Sequence, residues 1–305
     1  MMRSTTLACF LLLTVPLAAQ RDTPSFDLQK RSSTIAYGAV SLGKHSLDEL
    51  SAGSTWRLGM NNASTWRTEM PVVIGDQVLA PGEYRIQLKR LDEARCGLEI
   101  HGSALALGDG EELRVDGPLK KVKKKAKKLR IDWRKGTATK GTTPRRKKLV
   151  ETQAATIAIH YGNHQWTGDV QVLGGVDSKL GKYRLTVFAV PAKLIAARNK
   201  QPVPIAVITK GKSEAYQVVL EGDDAVVRPW MRAPTTRNGF GDVEAPSAAL
   251  TTSGKVSSKT DPAAEKGGAL LLVEAKLKKQ DATIELLSGN VGLTVTFTVP
   301  KPLKK

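Results

Sequence analysis

In the stretch His160-Tyr161-Gly162-Asn163-His164, two imidazoles stand either side of a tripeptide suited to a tight turn, so both rings can approach one point. Such a pair is the start of a metal site. Zinc needs at least a third protein ligand, and Asp169 is the carboxylate that follows most closely. Carboxylates also gather at Asp223-Asp224 and in Asp109-Gly110-Glu111-Glu112, where they could exchange protons or hold calcium. Both groups sit among turn residues, where acids ordinarily bond to nearby backbone. Histidines beside a turn are more often solvent-facing than metal-bound. No G-x-S-x-G, H-E-x-x-H, phosphate-cradling glycine loop or paired-cysteine motif occurs. The sequence therefore assigns no catalytic residue and implies no cofactor. A metal-dependent or carboxylate-based hydrolase using His160, His164 and nearby acids is the second reading; a non-enzymatic binding or structural module is the first.

Charge supplies a stronger signal. The chain carries a net +18, and Leu119 to Lys148 holds fifteen Lys or Arg against one acid, Asp132. That local +14 leaves only +4 for everything else. Its centre is Lys120, Lys121, Lys123, Lys124, Lys125, Lys127 and Lys128, and Arg145, Arg146, Lys147 and Lys148 extend it. Such density attracts polyanions, whether anionic polysaccharide, lipid head groups or nucleic acid. Lysine predominates, which suits diffuse, salt-sensitive contact more than bidentate recognition. Mutual repulsion predicts a mobile loop before Leu129 and another over 136–144, with the strand around Trp133 between them, forming one basic hairpin arm. The competing reading is a solvated insertion with no dedicated partner.

The tetrad Ser-Thr-Trp-Arg occurs at 54–57 and again at 64–67. A hairpin centred on Asn61 would set Trp56 opposite Trp66, Arg57 opposite Thr65 and Arg67 opposite Thr55. The rival reading makes the two indoles an exposed stacking platform. Aromatics of this size are usually buried, which favours the structural pair.

These residues need a scaffold, and its signal is period two. Tyr84-Arg85-Ile86-Gln87-Leu88, Leu129-Arg130-Ile131-Asp132-Trp133, Tyr183-Arg184-Leu185-Thr186-Val187 and Leu293-Thr294-Val295-Thr296-Phe297 all alternate apolar with polar. Alternation means one buried and one wet face, as in antiparallel sheets. Turn pairs such as Gly75-Asp76, Pro81-Gly82 and Gly162-Asn163 separate the runs. Only 192–199 reads as a short helix. The expected fold is an all-β antiparallel sandwich, with a first domain over 28–190 carrying the basic insert 119–148. A C-terminal region, 191–299, completes the sandwich and includes a disordered loop over 233–268. Cys96 stands in an alternating run and reads as a packed small hydrophobe.

The N-terminus reads as an address. Arg3, the apolar run Leu7 to Ala19 and Ala18-Ala19-Gln20 have the layout of a secretory signal peptide over 1–20. Export to the periplasm or beyond follows, with no membrane span. Export also takes the chain away from nucleic acid and leaves Cys96 as the single cysteine, so no internal disulfide forms.

Trp56-Arg57-Leu58-Gly59-Met60-Asn61, then Ala63-Ser64-Thr65, and then Leu79-Ala80-Pro81-Gly82-Glu83-Tyr84 resemble the bacterial domain-of-unknown-function family 2911, with its W-R-x-G-x-N and P-A-G-x-Y elements. The match is specific over 56–86 and looser over 35–175. Its motif residues here are Trp56, Arg57, Gly59, Asn61, Pro81, Gly82 and Tyr84. The chain departs from the family at Gly38-Ala39-Val40 and Ser51-Ala52-Gly53. The resemblance implies an exported, β-rich bacterial protein and supplies no catalytic residues.

Overall fold

A computed structural model describes residues 21–42, 47–59, 63–102, 113–145, 147–210, 214–229, 252–258, 268–289 and 291–300. The expected leader, Asn61, the acids of 109–112 and Arg146 lie outside them. The fold is all-β and sandwich-like, built from two antiparallel sheets.

The first sheet contains β1 (Arg21–Asp22), β2 (Ser25–Leu28), β3 (Arg31–Gly38), β4 (Thr55–Trp56), β5 (Ser64–Thr68), β6 (Val72–Ile74), β7 (Gln77–Leu79), β8 (Gly82–Arg90), β9 (Arg95–His101), β10 (Leu113–Thr142) and β11 (Leu149–Leu173). Its order is β1-β3-β5-β8-β9-β10-β11-β6-β7, with β2 on β3 and β4 on β8. Alternation decides the faces. In β8 every second residue from Gly82 to Arg90 is buried, and those between are half-buried. Trp66, Ile35, Leu88, Leu98, Ile157, Ile159 and Trp166 fill the interior at 0 % exposure. Each large apolar side chain withdrawn from water stabilises by roughly 1.5–3 kcal/mol. Two core indole N–H groups are satisfied, whereas the buried Nε1 of Trp133 has no hydrogen-bond partner among the described residues. Trp66 Nε1 donates to Ser33 Oγ at 2.7 Å, and Trp166 Nε1 to the Cys96 carbonyl at 2.9 Å.

β11 is extended throughout, yet it is not straight. Thr156 Oγ1 donates to Asp169 Oδ1 at 2.6 Å, and the Gly174 N–H bonds the Glu151 carbonyl at 2.8 Å. Thirteen residues of straight strand would separate Thr156 from Asp169 by ~43 Å. Both contacts centre on Gly162-Asn163, and Gly162 has φ 61°, a left-handed conformation that glycine adopts without strain. β11 is therefore a hairpin. β10 turns around its tip, because Leu119 to Lys121 pair with Trp166 to His164 on one limb while Arg130 to Lys135 pair with His160 to Ala155 on the other. The four limbs lie in a Greek-key order, with the first limb of β10 beside the returning limb of β11. The lysine tract is the crossover between the two limbs of β10.

Closure comes from the residues after β3. The Leu42 N–H bonds the Lys127 carbonyl at 2.7 Å, and the Leu129 N–H bonds the Val40 carbonyl at 2.8 Å. Between them Ser41 bridges Lys128. The sheet thus curls until β3's continuation meets the second limb of β10.

The second sheet contains β12 (Gly175–Leu180), β13 (Tyr183–Phe188), β14 (Val190–Pro191), β15 (Val203–Lys210), β16 (Glu214–Glu221), β17 (Asp224–Pro229), β18 (Thr252–Ser258), β19 (Ala269–Lys278), β20 (Asp281–Ser288) and β21 (Val291–Thr298). Helix α1 (Ala192–Ala196) and a 3-10 turn (Ala197–Asn199) follow β14, where the sequence predicts a helix. The sheet boundary falls between Leu173 and Gly175 rather than near residue 190, so β12 and β13 belong with the C-terminal strands. Val73, Val78, Val150 and Leu173 of the first sheet pack into the second core, which joins the two units. Polar clamps add to this. Arg31 of β3 reaches Asp177 of β12, and Gln217 Nε2 of β16 donates to the Pro81 carbonyl at 3.2 Å.

Three expectations are corrected. The segments expected as loops around Trp133 lie within strand β10, paired on both sides of 122–125, because the β11 hairpin and the 40–42 segment supply ladder partners that outweigh charge repulsion. The expected disordered loop over 233–268 contains β18, held between β17 and β21. The two Trp residues are not a cross-strand pair. Trp56 stands opposite Leu88 and Trp66 opposite Tyr84, so β4 and β5 are successive pieces lying along β8. Arg85 faces Thr65 and Lys89 faces Thr55, in place of the arginines expected there.

Candidate polyanion interface

Seven lysines occupy the crossover at one end of the first sheet. Lys120, Lys121, Lys123, Lys124, Lys125, Lys127 and Lys128 are all exposed, whereas Val122 and Ala126 are half-buried and Leu129 is buried. The apolar positions pin the segment, and the lysines between them point to water. Ladder bonds at Lys127, Lys128 and Leu129 fix its later half, and Ala126 pairs with Gly162 at the tip of the inner hairpin. Among the described residues none of the seven has a side-chain ion pair or hydrogen bond. The result is an arch of positive charge anchored on both sides, at Leu119 to Lys121 and at Ala126 to Leu129.

The remaining basic residues do not join it. Arg145 pairs with Glu274 Oε2 at 2.8 Å on β19, and Lys148 Nζ donates to the Asp177 carbonyl on β12. Lys147 is exposed, and its φ of 51° places it in a tight turn. This turn lies at the far end of β10, roughly 45 Å of strand from the arch at ~3.3 Å per residue. A carboxylate docks Arg145 on the second sheet, and a backbone carbonyl docks Lys148. A recess there, between Lys148, Ser178 and Leu272, has a volume of about 10 Å³, room for no more than a water.

The histidines lie near the arch, each opposite a basic residue. His164 is opposite Lys121 and His160 opposite Arg130, neighbours that repel a cation. Asp169 is five residues from His164 on the same limb, ~16 Å along a strand, and its Oδ1 is held by Thr156. No group of three or more His, Cys, Asp or Glu gathers among the described residues. Asp224 pairs with Lys255, and Asp223 with Arg198. Cys96 is buried, and burial pushes its thiol up, so it packs as a small hydrophobe.

The motif residues are largely structural. Tyr84 is 1 % exposed, its hydroxyl donates to the Ala80 carbonyl at 2.6 Å, and burial pushes that hydroxyl far up. A Tyr O–H bonded back to the chain a few residues upstream is a tyrosine corner. Pro81 and Gly82 form the bend it closes. Gly59 has φ 130° and lies so close to Gly38 that an added Cβ would stand 2.5 Å from its carbonyl oxygen. Arg57 is exposed, and Trp56 is half-buried against Tyr161.

One buried charge cluster escaped the sequence reading. Glu99, 1 % exposed on β9, meets Lys89 Nζ at 2.8 Å, Gln87 Nε2 at 2.8 Å and His101 Nε2 at 3.7 Å. Burial pushes its carboxyl up, but hydrogen bonds from Lys89 and Gln87 and the nearby charges outweigh burial and hold it below the usual range. Its sequence signal is only an acid in a hydrophobic run, which does not identify partners.

No protein-family model, curated protein or solved structure matches the chain.

Proposed function

We propose that this is an exported, non-enzymatic envelope protein that binds polyanions through the Lys120–Lys128 arch. The observation that carries the reading is the set of seven exposed lysines without side-chain partners on a crossover anchored at both ends. Anchoring the backbone at both ends lowers the entropy lost when a ligand orders the segment. Arg145 and Lys148, which the sequence groups with the arch, are used by the second sheet and lie outside the proposed surface. The likeness of 56–86 to family 2911 fits an exported β-rich bacterial protein. No helix among the described residues is long and apolar enough to cross a membrane.

The test compares two variants by titration with heparin and with duplex DNA across salt. One replaces the seven arch lysines by Gln; the other carries Arg145→Gln and Lys147→Gln. Substitution is preferred to deletion, because the backbone of 126–129 is part of the ladder. The intact protein should show log affinity falling linearly with log salt, by about 0.9 for each DNA phosphate engaged. The arch variant should lose most of that slope, and the turn variant should keep it. Equal binding of an envelope polymer by the intact protein and the arch variant at physiological salt would reduce the arch to a solvated insertion.

A further inference from the structure

We infer that Trp56 is a stacking platform for one ring of the polyanion held by the arch, which makes the ligand an anionic polysaccharide. This rests on the polyanion reading of the arch. The twin tetrads have different fates: Trp66 is 0 % exposed in the core, while Trp56 sits half-buried on a strand of two residues. Its ring packs on Tyr161 at a centroid distance of 5.2 Å and an interplanar angle of 34°. The Tyr161 hydroxyl donates to the Ser41 carbonyl at 3.1 Å, and Ser41 bridges Lys128. This run of contacts puts the indole at the root of the arch, and the exposed Arg57 follows it in the chain.

The other half-buried indole among the described residues, Trp133, is packed by Phe26 at 5.5 Å and Trp66 at 5.6 Å. It has no comparable role open to it. All remaining described aromatics are buried. A lipid surface would favour exposed apolar wedges, but the one exposed large hydrophobic residue described, Leu149, stands at the opposite end of β10. Single-stranded nucleic acid is generally bound by several aromatics that stack successive bases. One indole beside a row of lysines suits a chain in which one pyranose lies its C–H face on the ring while flanking carboxylates or sulfates meet ammonium groups.

The probes are a heparin oligosaccharide and inorganic polyphosphate of equal charge, the second having charge but no ring. Trp56→Ala should weaken the oligosaccharide about tenfold, in the range stacking contributes, and polyphosphate by about twofold at most. Trp56→Phe should keep most of the oligosaccharide affinity. If the alanine variant does not fold, Trp56→Leu retains apolar bulk without a ring and should show the same selective loss. Equal weakening of both probes, or of neither, overturns the stacking inference while leaving the arch as the binding surface. Failure of the unsubstituted protein to bind either probe overturns the polyanion reading itself. A Trp56-dependent preference for oligothymidylate over the oligosaccharide would replace the sugar by a base and overturn the assignment.

Discussion

Adding one methyl group at Gly82 tests whether the tyrosine corner holds the first sheet's central strand. A Cβ there would lie 2.9 Å from Tyr84 Oη, 3.1 Å from Cζ and 3.2 Å from Cε2. The nearest of these is the hydroxyl that donates to Ala80, and the ring is enclosed by the core. The ring must shift, and the buried hydroxyl then loses its acceptor, which costs about 1–3 kcal/mol. Against this, Ala in a strand gains roughly 0.5–1 kcal/mol over Gly. Gly82→Ala should therefore destabilise by about 1–2 kcal/mol net in the native background. In Tyr84→Phe the 2.9 Å contact is gone and the ring can yield by tenths of an ångström, so the same substitution should be within about 0.5 kcal/mol of neutral. Urea denaturation of the four proteins measures the coupling directly. Equal costs of Gly82→Ala in both backgrounds would refute the claim that the hydroxyl is what excludes a side chain.

Gly59→Ala should cost more, about 3 kcal/mol or above, since φ 130° and a 2.5 Å approach to the Gly38 backbone leave no relaxation path; thermal melting reads it. Glu99 is held below the ordinary carboxylate range, so its stabilising contribution is complete above the unfolded value of 4.5 and is lost as pH falls through the lower folded value. Stability should accordingly fall on acidification below about pH 4.5, and Glu99→Gln should be less stable at neutral pH with a shallower acid limb. Cys96 should react slowly with a disulfide reagent in the native protein and quickly in denaturant, because it is 0 % exposed and burial raises its thiol. Expressed in a Gram-negative host, the chain should lose about twenty N-terminal residues and leave the cytoplasm, which mass spectrometry of cell fractions would show.

The alternation in Tyr84 to Leu88 and Leu293 to Phe297 made the all-β class legible, because a sheet with one wet face writes its geometry into every second residue. The turn at Gly162-Asn163 and the helix near Ala192 were readable for the same local reason. The excess of lysine between 120 and 128 needed no coordinates either, since net charge is additive. What pairs with what was not legible. Trp56 and Trp66 carry identical neighbours, and hairpin geometry would have served them, but β8 offered both segments a longer ladder.

Charge repulsion likewise predicts a loose arm only if the segment has no partners. The folded β11 hairpin and residues 40–42 supply them, and one basic insert becomes two separate features. Lys120 to Lys128 face water across a Greek-key crossover, while Arg145 and Lys148 dock on Glu274 and Asp177 of the second sheet. Sequence alone determined the class, the burial of Cys96 and the amount of positive charge, all of which depend on residue type and local period. Tertiary structure alone decided which lysines stand exposed without side-chain partners and which tryptophan reaches the surface. Those outcomes rest on contacts between residues tens to more than a hundred positions apart, which no local pattern encodes.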